Sequence, residues 1–115
     1  DYATFRPGPA MGSARSRCAA VATGGRAVIF GGSAGGSSLD STLLLDTQTM
    51  TFTAGPNLLT RREEFVAVQV DADRVLFVGG FDGGLGAFSG GILNTTEIFH
   101  LSTLTVTPGP NMHSP

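Results

Sequence analysis

Two short apolar runs that each stop at a pair of glycines constrain this chain more than anything else in it. The first is Arg26-Ala27-Val28-Ile29-Phe30-Gly31-Gly32 and the second Arg74-Val75-Leu76-Phe77-Val78-Gly79-Gly80, 48 positions further on. Four or five aliphatic, β-branched and aromatic residues are too few for a helix and read as a buried strand. The paired glycines let the backbone take φ > 0, or approach a neighbouring segment where a Cβ would clash. A recurrence near 48 residues is the mark of a repeat, and repeats decide architecture.

Other features recur with it. Thr4-Phe5-Arg6-Pro7-Gly8-Pro9 returns as Thr51-Phe52-Thr53-Ala54-Gly55-Pro56 and as Thr105-Val106-Thr107-Pro108-Gly109-Pro110, the last prolines being 47 and then 54 residues apart. Threonine alternating with an apolar residue and broken at Gly-Pro is the pattern of an edge strand leaving its sheet. An apolar anchor follows each copy (Met11, Leu58, Met112), and Arg15 and Arg62 stand four residues after the first two. Apolar runs at 18–22 and 65–70 lead through turns at 23–25 and 71–73 into the Gly-Gly strands, as in hairpins. Third strands are predicted at 41–46 and 95–100. The second repeat is seven residues longer; one lies between Arg62 and Gly79 and six between Gly80 and His100. The loop at 81–93, with Phe81 and Phe88 set among glycines, is the irregular feature.

Bulk composition narrows the function. At 115 residues the chain is one domain, and its net charge of −2 gives no basic footprint for nucleic acid or an anionic membrane surface. All seven cations are arginine, so a Schiff-base lysine and a phosphate-loop lysine are both excluded. The glycines at 31–36 are followed by no helical period and read as turns rather than a phosphate cradle. Cys18 alone cannot form an internal disulfide. No run approaches the roughly 18 apolar residues of a membrane span. A chain that starts at Asp1 without a signal peptide is expected to be a processed or excised segment.

Four antiparallel strands per repeat, with Gly-Gly after the second and Gly-Pro after the fourth, resemble the kelch motif. The resemblance spans nearly the whole chain and rests on Arg15, Gly31-Gly32, Leu45-Asp46 and Phe52, then on Arg62, Gly79-Gly80, Phe99-His100 and Val106. It departs from the family where Leu45 and Phe99 replace the usual tyrosine, and Phe52 and Val106 the usual tryptophan. The resemblance implies an all-β fold of β-propeller blades, with residues 1–9 ending one blade, 10–56 and 57–110 forming two, and 111–115 starting another. Propellers close with about 4–8 blades, so two leave apolar faces and sheet edges open. The ragged ends favour a segment of a larger propeller over copies that close a ring, its blades completed by the rest of a parent chain or by other subunits.

The family also includes copper-radical oxidases of the galactose and glyoxal oxidase kind, which need two His, two Tyr and a Cys joined to one Tyr. Tyr2 is the only tyrosine and His100 and His113 the only histidines, so neither a catalytic role nor a metal or other cofactor is expected in this segment. Cys18 aligns with Phe65 and is expected to be a buried thiol. Glu63-Glu64 and the pair Asp71 and Asp73 read as solvated charges at strand entries and turns. Asn94-Thr95-Thr96 is a glycosylation sequon that matters only in a secretory compartment. Arg15 and Arg62 recur in register, either as a positive rim suited to carboxylates or as braces that hydrogen-bond loop carbonyls. The functional expectation is a non-enzymatic scaffold that binds a protein partner through its loop face, with Arg15, Arg62, Phe81 and Phe88 as contact candidates.

Overall fold

The computed structural model describes residues 7–12, 14–83 and 91–112. The first repeat supplies β1 (Ala19–Thr23), β2 (Arg26–Phe30), β3 (Ser33–Ala34), β4 (Ser37–Ser38), β5 (Thr42–Asp46) and β6 (Thr51–Ala54). The second supplies β7 (Val66–Gln69), β8 (Arg74–Val78), β9 (Phe81–Asp82), β10 (Gly91–Ile92), β11 (Thr96–His100) and β12 (Thr105–Pro108). No helix occurs among the described residues. Each repeat folds into one four-stranded antiparallel sheet, β1-β2-β5-β6 and β7-β8-β11-β12, as the turn spacing predicts.

The sequence reading did not anticipate the two-stranded hairpins β3–β4 and β9–β10 that follow each Gly-Gly. They show where the extra residues went. Only Gly35 and Gly36 separate β3 from β4, whereas residues 83–90 separate β9 from β10, so the six extra residues fall between those two strands in sequence. The seventh is in the turn after β7, where Asp71, Ala72 and Asp73 replace Gly24 and Gly25; Val70 N–H closes that turn on Arg74 O at 2.9 Å.

Strand register divides each sheet into two faces. On β2 and β5, Phe30 stands opposite Thr42 and Val28 opposite Leu44; on β8 and β11, Phe77 stands opposite Glu97 and Val75 opposite Phe99. These two faces meet. Phe30 packs its ring 4.4 Å from Phe77 and 5.2 Å from Phe99, and Phe65 lies edge-on to Phe77 at 5.6 Å. Val28, Leu44, Leu58, Val75 and Leu101 complete a core that lies between the sheets. Each such side chain contributes roughly 1.5–3 kcal/mol by leaving water, and offset aromatic pairs add to that.

Backbone conformation repeats as faithfully as packing. Among the described residues, the non-glycine positions with positive φ are Arg17 and Glu64, then Met50 and Leu104, two pairs that occupy matching places in the two repeats. Such left-handed residues persist only where surrounding bonds fix the turn. Here Glu64 N–H donates to Arg17 O, Met50 N–H to Asp46 O and Leu104 N–H to His100 O.

The Gly-Gly pairs satisfy both reasons proposed for them. Gly32 and Gly80 have φ of +96°, and a Cβ on Gly80 would lie 2.7 Å from both Glu63 O and the Phe65 Cβ. Gly36 is also left-handed, but open space surrounds it. Gly80→Ala therefore combines strain with a backbone collision and is expected to cost roughly 2–4 kcal/mol, against about 1 kcal/mol for Gly36→Ala. Urea melts of the two variants check this; equal midpoints would contradict the close approach.

Candidate functional site

Both strand-entry arginines act within a network built twice. Arg15 Nη1 donates to Gly31 O at 3.0 Å and Ser41 O at 3.2 Å, while its Nη2 reaches Ser41 Oγ at 3.0 Å. Arg62 Nη1 donates to Gly79 O at 2.7 Å and Thr95 O at 3.2 Å, while its Nη2 reaches Thr95 Oγ1 at 3.1 Å. Each planar guanidinium thus ties the first glycine of the pair to the residue just before the third strand, a task suited to its fixed fork of donors. Threonine does the same for the exit: Thr42 Oγ1 donates to Pro56 O and Thr96 Oγ1 to Pro110 O.

One element of the second network has no counterpart in the first. Glu97 stands where the first repeat has Leu43, and its carboxylate accepts from Arg62 Nε at 3.0 Å and Arg62 Nη2 at 2.7 Å. The same carboxylate also accepts from Leu59 N–H at 2.6 Å and Thr60 N–H at 3.2 Å, which pins the linker between the sheets. Arg62 is 0% exposed and Glu97 2%. Arg62 therefore holds loops in place and offers no surface to a partner in this fold, whereas Arg15 is half-buried.

A second clasp joins the repeats at the same end. Glu63, expected as a solvated charge, is buried at 5% exposure. Its Oε1 accepts from Ser38 Oγ at 2.6 Å and its Oε2 pairs with Arg17 at 3.3 Å; Gly83 N–H donates to Ser38 Oγ at 2.7 Å. The burial follows from backbone pairing, because Glu63 is bridged to Phe81 and its side chain is carried under the hairpin of the other repeat. Glu64 is exposed, paired with Arg17 at 3.2 Å.

These bonds gather the β3–β4 hairpin, the β9–β10 stem and the entry segments 14–17 and 61–64 on one end of the sheets. Ile92 is 71% exposed there, Arg61 is exposed, and Phe81, the strand partner of Ile92, is half-buried. Phe88 lies outside the described residues, as do Tyr2 and His113. Shallow clefts flank the β3–β4 hairpin, one lined by Arg15, Ser16 and Ser33, another by Ser38, Asp40 and Arg61.

The opposite end carries turn chemistry. Backbone hydrogen bonds from Asp73, then the Arg74 side chain, hold the Asp71 carboxyl below its ordinary range; hydrogen bonds from Ser102, with the nearby His100, do the same for Asp73. A carboxyl lowered on folding stabilises the fold at pH above its ordinary value of about 4 and loses that contribution as pH falls below it. Asp73→Asn is accordingly expected to flatten the acid limb of a stability-against-pH curve below about pH 4. A limb unchanged in a series of urea melts would contradict it. His100 Nε2 lies 3.0 Å from Thr107 Oγ1 and its Nδ1 3.6 Å from Asp73 Oδ2.

Two sequence expectations change at single residues. Cys18 is exposed rather than buried. Its counterpart Phe65 is buried because it packs on the neighbouring sheet, and among the described residues nothing stands in that position for Cys18. The sequon asparagine donates to Met112 O at 3.4 Å, and Thr96 of the same triplet is the buried exit brace. Asn94, Thr95 and Thr96 take the places of Asp40, Ser41 and Thr42, so structural needs alone account for the two threonines.

The family model described as "Kelch motif" matches residues 14–59, from the Arg15 entry segment through β6 to the linker. Residues 14–59 are a kelch repeat. The first sheet is thus a kelch blade, and the second sheet reproduces its strand order, arginine brace and threonine brace. No curated protein matches the chain. Among the described residues no three or more His, Cys, Asp and Glu side chains gather as a metal site, and no helix is long and apolar enough to cross a membrane.

Proposed function

We propose that the chain is a non-enzymatic protein-interaction module whose contact surface is the loop end of its kelch blades. The observation that carries this reading is the division of labour at that end. Arg62, Glu97, Glu63 and Ser38 are buried and hydrogen-bonded to backbone or to one another, which fixes the loop bases. Ile92 and Arg61 stand in solvent on top of them, with Arg15, Phe81 and Phe88 as further contact candidates. Rigid bases beneath variable tips lower the ordering cost of binding, and aromatic, aliphatic and arginine side chains are the usual anchors of protein interfaces.

The test is affinity capture from the source tissue with the parent chain and with an Arg61→Glu, Ile92→Asp variant. Partners recovered by the parent and lost by the variant, at equal melting temperatures, support the loop-end surface. Identical recoveries with both chains would overturn it.

A further inference from the structure

Two charges of opposite sign line one cleft at the loop end without pairing. The cleft, about 280 Å³ in volume, is lined by Ser37, Ser38, Leu39 and Asp40 of the first repeat and by Arg61 of the second. Asp40 is half-buried and Arg61 exposed. Among the described residues, neither side chain makes an ion pair or a hydrogen bond, with the other or with anything else. The other described arginines are all engaged. Arg17, Arg62 and Arg74 are ion-paired, Arg26 donates to Leu101 O at 3.0 Å, and Arg15 donates to the carbonyls of Gly31 and Ser41.

The main chain fixes how the two charges stand to one another. Arg62 N–H donates to Leu39 O at 3.1 Å and Leu58 N–H to Asp40 O at 2.7 Å, so the linker is laid along residues 39–40. Thr60 N–H is held by Glu97 Oε2 at 3.2 Å, just before Arg61. Ser38 in the lining is 3% exposed and donates to Glu63 at 2.6 Å. Neither charge serves the repeat framework: Ala14 stands in the place of Arg61, and Asn94 in that of Asp40. Charges that the framework does not use, set on a rigid base, meet a ligand at little ordering cost.

We propose that this cleft receives a segment of the protein partner that presents an acidic and a basic side chain close together, the carboxylate meeting Arg61 and the cation meeting Asp40. This inference rests on the loop-end interaction surface proposed above and specifies its partner by charge. Size favours side chains over a small molecule. Sites that enclose small ligands occupy about 300–1,000 Å³, and this shallow cleft lies below that range. Apolar area for the rest of a partner is present at the same end, where Leu59 is 57% and Ile92 71% exposed. The guanidinium fork donates two parallel bonds to a carboxylate. The opposed charges also reject wrong partners, since a purely acidic segment meets Asp40 as a like charge and a purely basic one meets Arg61.

Octapeptides titrated into the 115-residue chain test this, followed through amide and arginine Nε–H NMR shifts, which read weak affinities. One probe sets a Glu and an Arg two positions apart, in both orders; companions replace Glu, Arg or both with Gln. In about 20 mM salt, where surface charges are little screened, the doubly charged probe in one order should bind about tenfold more tightly than the neutral one, as two exposed pairs supply. In about 0.5 M salt the advantage should largely vanish. Arg61→Ala and Asp40→Asn each install what the other repeat carries, so melting temperatures should not move. Arg61→Ala should erase the preference for Glu over Gln and keep that for Arg over Gln, and Asp40→Asn should do the reverse. Equal binding of charged and neutral probes overturns the proposal, as does a Glu preference that survives Arg61→Ala. The two proposals fail separately: equal probe binding removes the charge pairing alone, whereas unchanged capture by the Arg61→Glu, Ile92→Asp variant removes the loop-end surface and this cleft with it.

Discussion

Arg62→Ala is expected to destabilise the fold by about 3–5 kcal/mol, the cost of leaving one member of a buried ion pair without the other. Five donor contacts disappear together: two to the Glu97 carboxylate, two to the carbonyls of Gly79 and Thr95, and one to Thr95 Oγ1. Glu97 would remain 2% exposed with only the Leu59 and Thr60 amides for company. Whole domains hold only about 5–15 kcal/mol, so the loss is a large share. Arg62→Lys should recover little, because an ammonium cannot reproduce a planar fork of donors. Arg62→Met combined with Glu97→Leu should recover more than either single change, since removing both charges leaves no buried ion uncompensated. Leu43 already shows that an aliphatic side chain suits that register position. Chemical denaturation of the five variants checks the order; an Arg62→Ala stability within about 1 kcal/mol of the parent would rule out the brace.

The second large effect is at Phe77. Its ring is 0% exposed and touches Phe30, Phe65 and Phe99, so it joins both repeats at one point. Truncation to alanine removes the transfer energy and leaves a cavity between two sheets that are tied by backbone bonds and cannot easily close up. The expected cost is about 3–5 kcal/mol, seen as a melting temperature lower by more than about 10 °C. Leu59→Ala, at a position 57% exposed, should stay within about 0.5 kcal/mol. Similar losses for both variants would show that the aromatic cluster does not hold the sheets together.

The blade architecture was legible because local signals and long-range pairing agree. Gly31-Gly32 and Gly79-Gly80 end strands at the predicted places, and the Thr-rich runs before Gly55-Pro56 and Gly109-Pro110 are the outer strands. The hairpins β3–β4 and β9–β10 were missed, since two-residue strands such as Ser33–Ala34 and Ser37–Ser38 carry no hydrophobic period. Burial of charge was also missed. Glu97 lies 35 positions from Arg62, and its counterpart is Leu43, so the repeat alignment pointed away from an ion pair. A signal was present nonetheless: a carboxylate in an inward register position, opposite Phe77, requires a cationic partner. Cys18 was misplaced for the opposite reason, as equivalence to Phe65 fixes a position in a blade but not what packs upon it.

The tip of the β9–β10 hairpin has a consequence for chain entropy. Its stem is clamped on both sides, by Glu63 paired with Phe81 and by Leu93 N–H bonded to Gly80 O. The tip grows from two residues in the first repeat to eight in the second without shifting either register. Each doubling of a flexible loop costs only about 0.6 kcal/mol in closure entropy, so two doublings cost about 1.2 kcal/mol. That is less than a single buried aromatic side chain returns. Sequence length at this position is thus thermodynamically cheap, and residues can be added or replaced there while the strands beneath keep their pairing.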